Sequence, residues 1–166
     1  AIVVFIALFF VQAGYGIFHT KKWGWSIPNK IGWILMEAPA FIVLFYLWWT
    51  SSVRFEIPEF IFFLLFELHY FQRSFVFPLL MKGNSQMPIS ILAMGVLFNS
   101  INGFLLGESL FHLAPDTFYT AAWFGQPLSV AGLFLFFIGM AVNLHSDHVI
   151  RNLRPAGDTR HYLPQK

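Results

Sequence analysis

The 166-residue chain contains no cysteine. Disulfide staples and thiolate chemistry are thereby excluded, along with the commonest ligands of structural zinc and of iron-sulfur clusters. Charge is scarce as well: 11% of residues are Asp, Glu, Lys or Arg, against about 25% in an ordinary water-soluble domain. The net charge of +2 carries no nucleic-acid signature. A G-x-G-x-x-G turn and a G-x-x-x-x-G-K-[ST] loop are both missing, so any nucleotide would have to be held without a Rossmann turn or a P-loop.

Apolar side chains are what the chain has in excess. It is 57% hydrophobic and 20% aromatic, with 22 Phe, and its mean hydropathy is +0.65. A domain of this size leaves roughly a third of its surface exposed, so one water-soluble core cannot absorb that excess, and the natural solvent is lipid. A bilayer core of about 30 Å needs about 20 helical residues to cross it. Five stretches meet or approach that length: 1–14, 31–50, 58–81, 88–107 and 127–150. Three open on a proline, Pro58, Pro88 and Pro127, which suits a first helical turn because the missing N–H would have no partner there. The apolar runs show no alternation with period two, which argues against a membrane barrel. The expected fold is an all-α polytopic transmembrane bundle forming one domain over 1–166. The opening run lacks the basic flank and cleavage site of a signal peptide, so it reads as the end of a membrane helix, and both ends of the chain read as cut.

Orientation follows from Lys and Arg in the connections. Lys21, Lys22, Lys30, Lys82, Arg151, Arg154, Arg160 and Lys166 fall on one side, and only Arg54 on the other. The side holding the C-terminal stretch is expected to be cytoplasmic, in endoplasmic reticulum or bacterial inner membrane.

Ionisable groups inside lipid-spanning helices cost a few kcal/mol each on insertion scales and are functional candidates by default. Here they are Glu37, Glu67, His69, Arg73, His145 and Asp147, accompanied by Tyr70, Asn102 and Asn143. Counted from the nearest basic flanks at about 1.5 Å per residue, Glu37, Tyr70, Arg73, Asn143 and Asp147 converge on the cytoplasmic half of the bundle. Glu67, Tyr70 and Ser74 share one helical stripe, His69 and Arg73 the adjacent one, and Asn143 and Asp147 a stripe of the last helix. Three kinds of work suit such a set. A neutral carboxylic acid beside a tyrosine can polarise a carbonyl oxygen. An Asn/Asp face near arginines matches the ribose and phosphates of a nucleotide. A Glu, His, Arg and Asp chain can relay protons or ions. Plain helix-to-helix hydrogen bonding is the competing account. The H-S-D-H spacing of His145 and His148 does not put several ligands on one face, so no metal site is expected.

At these residues the sequence resembles the membrane steroid 5α-reductase family. The matching strings are GYG at Gly14 to Gly16 with His19-Thr20, LMEAPAF at Leu35 to Phe41, LHYFQRSFVFPLL at Leu68 to Leu80, Asn102-Gly103, GMAVNLHSDHVIRNLR at Gly139 to Arg154, and the PAGDTRHYLP that follows. The resemblance implies a seven-helix bundle of which these residues would be the N-terminal part. It implies NADPH as cofactor and a 3-oxo-Δ4 steroid or other lipid enone as substrate, reduced at the 4,5 double bond by hydride transfer to C5. It further implies that Glu37 and Tyr70 bind the C3 carbonyl, with Tyr15 near the substrate, and that Asn143, Asp147, Arg154, Tyr162 and Arg73 belong to the cofactor site. The family pattern continues beyond Pro164 with a Gly-rich turn and two further helices, so activity is expected of the longer protein. Asn84 stands where the family usually carries a basic residue. The alternatives are a trans-2-enoyl-CoA reductase, favoured by the LRPAG stretch from Leu153 to Gly157, and a non-catalytic transporter or scaffold. No obligate protein partner is implied.

Overall fold

The computed structural model describes residues 24–82, 85–115 and 118–153. Within them the chain is an all-α polytopic bundle of four helices long and apolar enough to cross a membrane. Helix α1 is Asn29–Thr50, α2 is Ile57–Leu80, α3 is Ile89–Leu113 and α4 is Pro127–Asn152. Each of the four apolar runs from 31–50 onward therefore becomes a helix, with ends within two residues of those read from hydropathy except that α3 runs six residues past the expected 107, through Leu113. The fifth expected helix, 1–14, lies outside the described residues, as do Tyr15, Asn84, Arg154 and Tyr162.

Two of the helices are not α-helical throughout. After Ile57–Phe71, α2 widens into a π turn over Gln72–Val76 before closing with Phe77–Leu80. Pro78 accounts for the widening: it has no N–H to offer the carbonyl of Ser74, and the Phe77 N–H reaches back five residues to the carbonyl of Gln72. A second π turn, Ser109–Leu113, ends α3.

Hydropathy shows no strand, yet Ser26–Pro28 (β1) pairs antiparallel with Gln86–Pro88 (β2), Ile27 opposite Met87. Three-residue strands are too short to produce an alternating pattern, and a proline at the end of each keeps the residue before it extended. Beyond the pair, the Asn29 N–H donates to the Ser85 carbonyl at 3.0 Å and the Ile89 N–H to the Trp25 carbonyl at 2.8 Å. The starts of α1 and α3 are thus clipped together, so these helices run parallel and their first turns lie at the same end of the bundle. Lys82 Nζ donates to Asn152 Oδ1 at 2.8 Å, which brings the end of α4 to that end too. Lys30, Lys82 and Arg151, the described members of the basic set, thus lie toward the same end of the bundle.

Helices α1 and α3 share the most extensive contact in the bundle. A row of residues four apart on α3 meets α1 along it: Gly95 lies against Met36, Gly103 against Ala40 and Val43, and Gly107 against Leu47, while Asn99 reaches the Met36 carbonyl. Small residues permit this approach, since lipid supplies no hydrophobic force to hold helices together and close packing must do so. At the far end, Leu44, Leu47, Trp48, Phe63 and Phe111 form the apolar core, with Trp48 and Phe63 stacked at 4.0 Å between ring centroids. Helix α4 stands apart and buries mainly one stripe, Leu133, Phe136, Met140, Asn143, Asp147 and Arg151, all half-buried.

Candidate active site

Three polar side chains from three helices meet in the half of the bundle nearest the β1–β2 clip. Arg73, in the π turn of α2, is their hub. Its Nη1 donates to Asp147 Oδ2 on α4 at 3.3 Å, and its Nε lies 3.8 Å from Glu37 Oε1 on α1. The guanidinium carbon sits 4.4 Å from the centroid of the Trp33 ring and 4.7 Å from that of Phe77. A guanidinium held between two rings and two carboxylates is fixed in direction as well as charge. The i, i+4 relation to His69 seen in the sequence is secondary to this bridge.

Helix α3 supplies the other half of the arrangement. Asn99, buried, donates from Nδ2 to the Met36 carbonyl at 2.8 Å and to Glu37 Oε2 at 3.3 Å. Asn102, one turn on, donates from Nδ2 to the Tyr70 hydroxyl oxygen at 2.9 Å. The Tyr70 ring stacks on Phe66 with centroids 4.5 Å apart and meets the His69 ring edge-on at 5.2 Å. Glu37 and Tyr70 therefore project from different helices but are each held by an asparagine of α3.

The remaining candidates fall around this core. Asn143 and Asp147 share the half-buried stripe of α4, as their spacing indicates, with Arg151 a turn beyond. His69 lines an open apolar cleft of about 320 Å³ between α2 and α4, with Leu135, Phe136, Gly139 and Met140. His145 is exposed, and His148 is in contact with Asn152. Among the described residues no three His, Asp or Glu side chains gather as metal ligands would.

Glu67 and Ser74 share a buried stripe with Tyr70, yet neither carboxylate oxygen of Glu67 nor the Ser74 hydroxyl has a hydrogen-bond partner among the described residues. A buried polar group without a partner costs about 1–3 kcal/mol. Glu67→Met, similar in length and flexible enough to fill the space, is accordingly expected to raise the melting temperature in detergent and leave turnover intact. A lower melting temperature or lost turnover would show that Glu67 has a working partner in the full-length protein.

Known proteins resemble the chain along most of its length. The description 3-oxo-5-alpha-steroid 4-dehydrogenase matches residues 85–166. Across nearly the whole chain, 99%, the sequence is 31% identical to 3-oxo-5-alpha-steroid 4-dehydrogenase 1 of Mus musculus. Over 92% of the chain it is 37% identical to 3-oxo-5-alpha-steroid 4-dehydrogenase 2 of Homo sapiens, and over 99% it is 31% identical to steroid 5-alpha-reductase DET2 of Gossypium hirsutum. In sequence the chain is similar to the 3-oxo-5-alpha-steroid 4-dehydrogenase family. It spans 60% to 65% of the length of these three relatives.

Of the polar side chains that meet here, the sequence had singled out Glu37, Tyr70, Arg73 and Asp147, had named Asn102 without a partner, and had not pointed to Asn99. The signal available was the four-residue ladder of Gly95, Asn99, Gly103 and Gly107, a small-residue seam whose single large polar member must find a buried acceptor.

Proposed function

We propose that the full-length protein reduces the 4,5 double bond of a 3-oxo-Δ4 steroid with NADPH, the C3 carbonyl being held by Glu37 and Tyr70. The observation that carries this reading is the pairing of a carboxyl and a phenol from separate helices, each braced by an asparagine, beside a guanidinium that reaches the nucleotide-type face of α4. Two relatives named 3-oxo-5-alpha-steroid 4-dehydrogenase and one named steroid 5-alpha-reductase support the substrate class.

The donor set fits the cofactor. Asn143, Asp147 and Arg151 offer amide, carboxylate and guanidinium on one stripe of α4, the groups that ribose hydroxyls and phosphates require, and Lys82 adds a cation at the same end. When bound, NADPH supplies the hydride that adds at C5, and a proton added at C4 completes the reduction. The chain's own residues act on the carbonyl. Tyr70 and protonated Glu37 donate to the C3 oxygen, which gains enolate charge as the enone is reduced, and donors set in place beforehand in a dry site are worth several kcal/mol there. Arg73, 3.3 Å from Asp147 and 3.8 Å from Glu37, links the carbonyl site to the face of α4. The bundle is set in the membrane with the β1–β2 end toward the cytoplasm, the side on which NADPH is drawn.

The test is NADPH oxidation by the full-length membrane protein, with 3-oxo-Δ4 steroids and 2-enoyl-CoA offered separately. Steroid-dependent oxidation is expected. Oxidation with 2-enoyl-CoA alone would reassign the substrate, and no oxidation with either would favour a transporter or scaffold. Asp147→Ala is expected to weaken NADPH binding by about tenfold or more, since a hydrogen bond to a charged group is worth about 1.5–3 kcal/mol; unchanged affinity would remove α4 from the cofactor site.

A further inference from the structure

The Tyr70 hydroxyl has one hydrogen to give and lone pairs to receive with. For the proposed reaction it must give. In the bundle its oxygen accepts the Nδ2 hydrogen of Asn102 at 2.9 Å, a contact that stabilises no carbonyl and touches no nucleotide face. The ring itself is immobilised by Phe66 and His69, so the only freedom left to the group is rotation of its O–H. A hydroxyl hydrogen turns to suit its neighbours, and a donor already at the oxygen turns it away from α3.

We propose that Asn102 is a positioning residue that aims the Tyr70 proton out of the α2–α3 seam toward the substrate carbonyl. The inference rests on the reductase reading above and deepens it. The side chain reaches Tyr70 because Gly103, its neighbour in the chain, lets α3 lie against Ala40 of α1, and Asn99 anchors the same turn to Met36. Asn102 also strengthens Tyr70 as a donor, because a phenol oxygen that accepts a hydrogen bond polarises its own O–H; hydrogen bonds in a chain reinforce one another in this way.

The test uses full-length protein labelled with carbon-13 tyrosine, in which the wild-type minus Tyr70→Phe infrared difference isolates the Tyr70 C–O stretch. That band separates a phenol that accepts a hydrogen bond from one that donates. Asn102→Ala, and Asn102→Asp, which in its ionised form keeps the shape but can only accept, are both expected to shift it toward the donor position. An unshifted band in both variants overturns the proposal whether or not the protein turns over steroid. A shifted band in a protein without steroid turnover upholds the contact and sinks the reductase reading instead. In turnover, Asn102→Ala is expected to lower kcat by about tenfold, the worth of one neutral hydrogen bond, with steroid KM little changed. In a Tyr70→Phe background the same substitution is expected to cost nothing further. An equal loss in both backgrounds would mean that Asn102 only supports the fold, and would also overturn the proposal.

Discussion

Tyr70→Phe in the full-length protein is expected to lower kcat for a 3-oxo-Δ4 steroid by about 10²–10³-fold, the cost of removing one donor from an oxyanion. The substitution deletes only the hydroxyl. The ring keeps its stacking on Phe66, so the bundle should retain its stability and its NADPH affinity, and the loss should appear in kcat. Glu37→Gln is expected to cost less. Glutamine preserves the shape and the acceptor that Asn99 donates to, and its amide can still donate to a carbonyl, though more weakly than an acid as charge builds on the oxygen. That amide also faces the Arg73 guanidinium, which favours an acceptor there. Single-turnover rates with saturating NADPH and steroid would measure both. A Tyr70→Phe protein with full kcat would remove the tyrosine from the carbonyl site.

The second large effect concerns assembly. A Cβ built on Gly103 would lie 2.9 Å from the Ala40 carbonyl oxygen and 3.2 Å from its Cα. Both are backbone atoms and cannot step aside as a side chain could. Gly103→Val adds two more carbons at that point, so α1 and α3 must separate along their seam. Overpacking costs about 1–3 kcal/mol or more in a well-packed core, and here the seam also carries the Asn99 and Asn102 hydrogen bonds. The expected result is aggregated or polydisperse protein on extraction, with a melting temperature well below that of wild type. Gly132→Ala is the matching control: nothing among the described residues lies within 4 Å of the added methyl, and exchanging Gly for Ala within a helix gains about 1 kcal/mol. Equal behaviour of the two variants would mean that the α1–α3 contact does not hold the bundle together.

Much of this protein is legible from one dimension because lipid is an unforgiving solvent. A helix must satisfy every backbone group internally, so apolar length alone located α1, α2 and α4 to within two residues and the start of α3, though not its end, and Pro58 and Pro127 marked starts that the structure keeps. The same solvent makes ionisable residues costly, which is why Glu37, Arg73 and Asp147 stood out before any fold was known. The π turn at Gln72–Val76 was less visible. Pro78 announced an interruption, but whether the freed carbonyl is met by a wider turn or by a kink depends on what packs beside it.

Sequence by itself thus determined the class of solvent, the described helices apart from the last turns of α3, and the identity of most polar groups that the fold brings together. Tertiary structure alone decided who meets whom. Asn102 faces Tyr70, and Arg73 bridges Glu37 and Asp147, because helix rotation is set by the close α1–α3 seam and the β1–β2 clip. The physical reason is one of scale. Helix formation in a membrane depends on groups within a few residues of one another, whereas side-chain partnership spans 32 residues for Asn102 with Tyr70 and 74 for Arg73 with Asp147, and only packing fixes distances across such intervals.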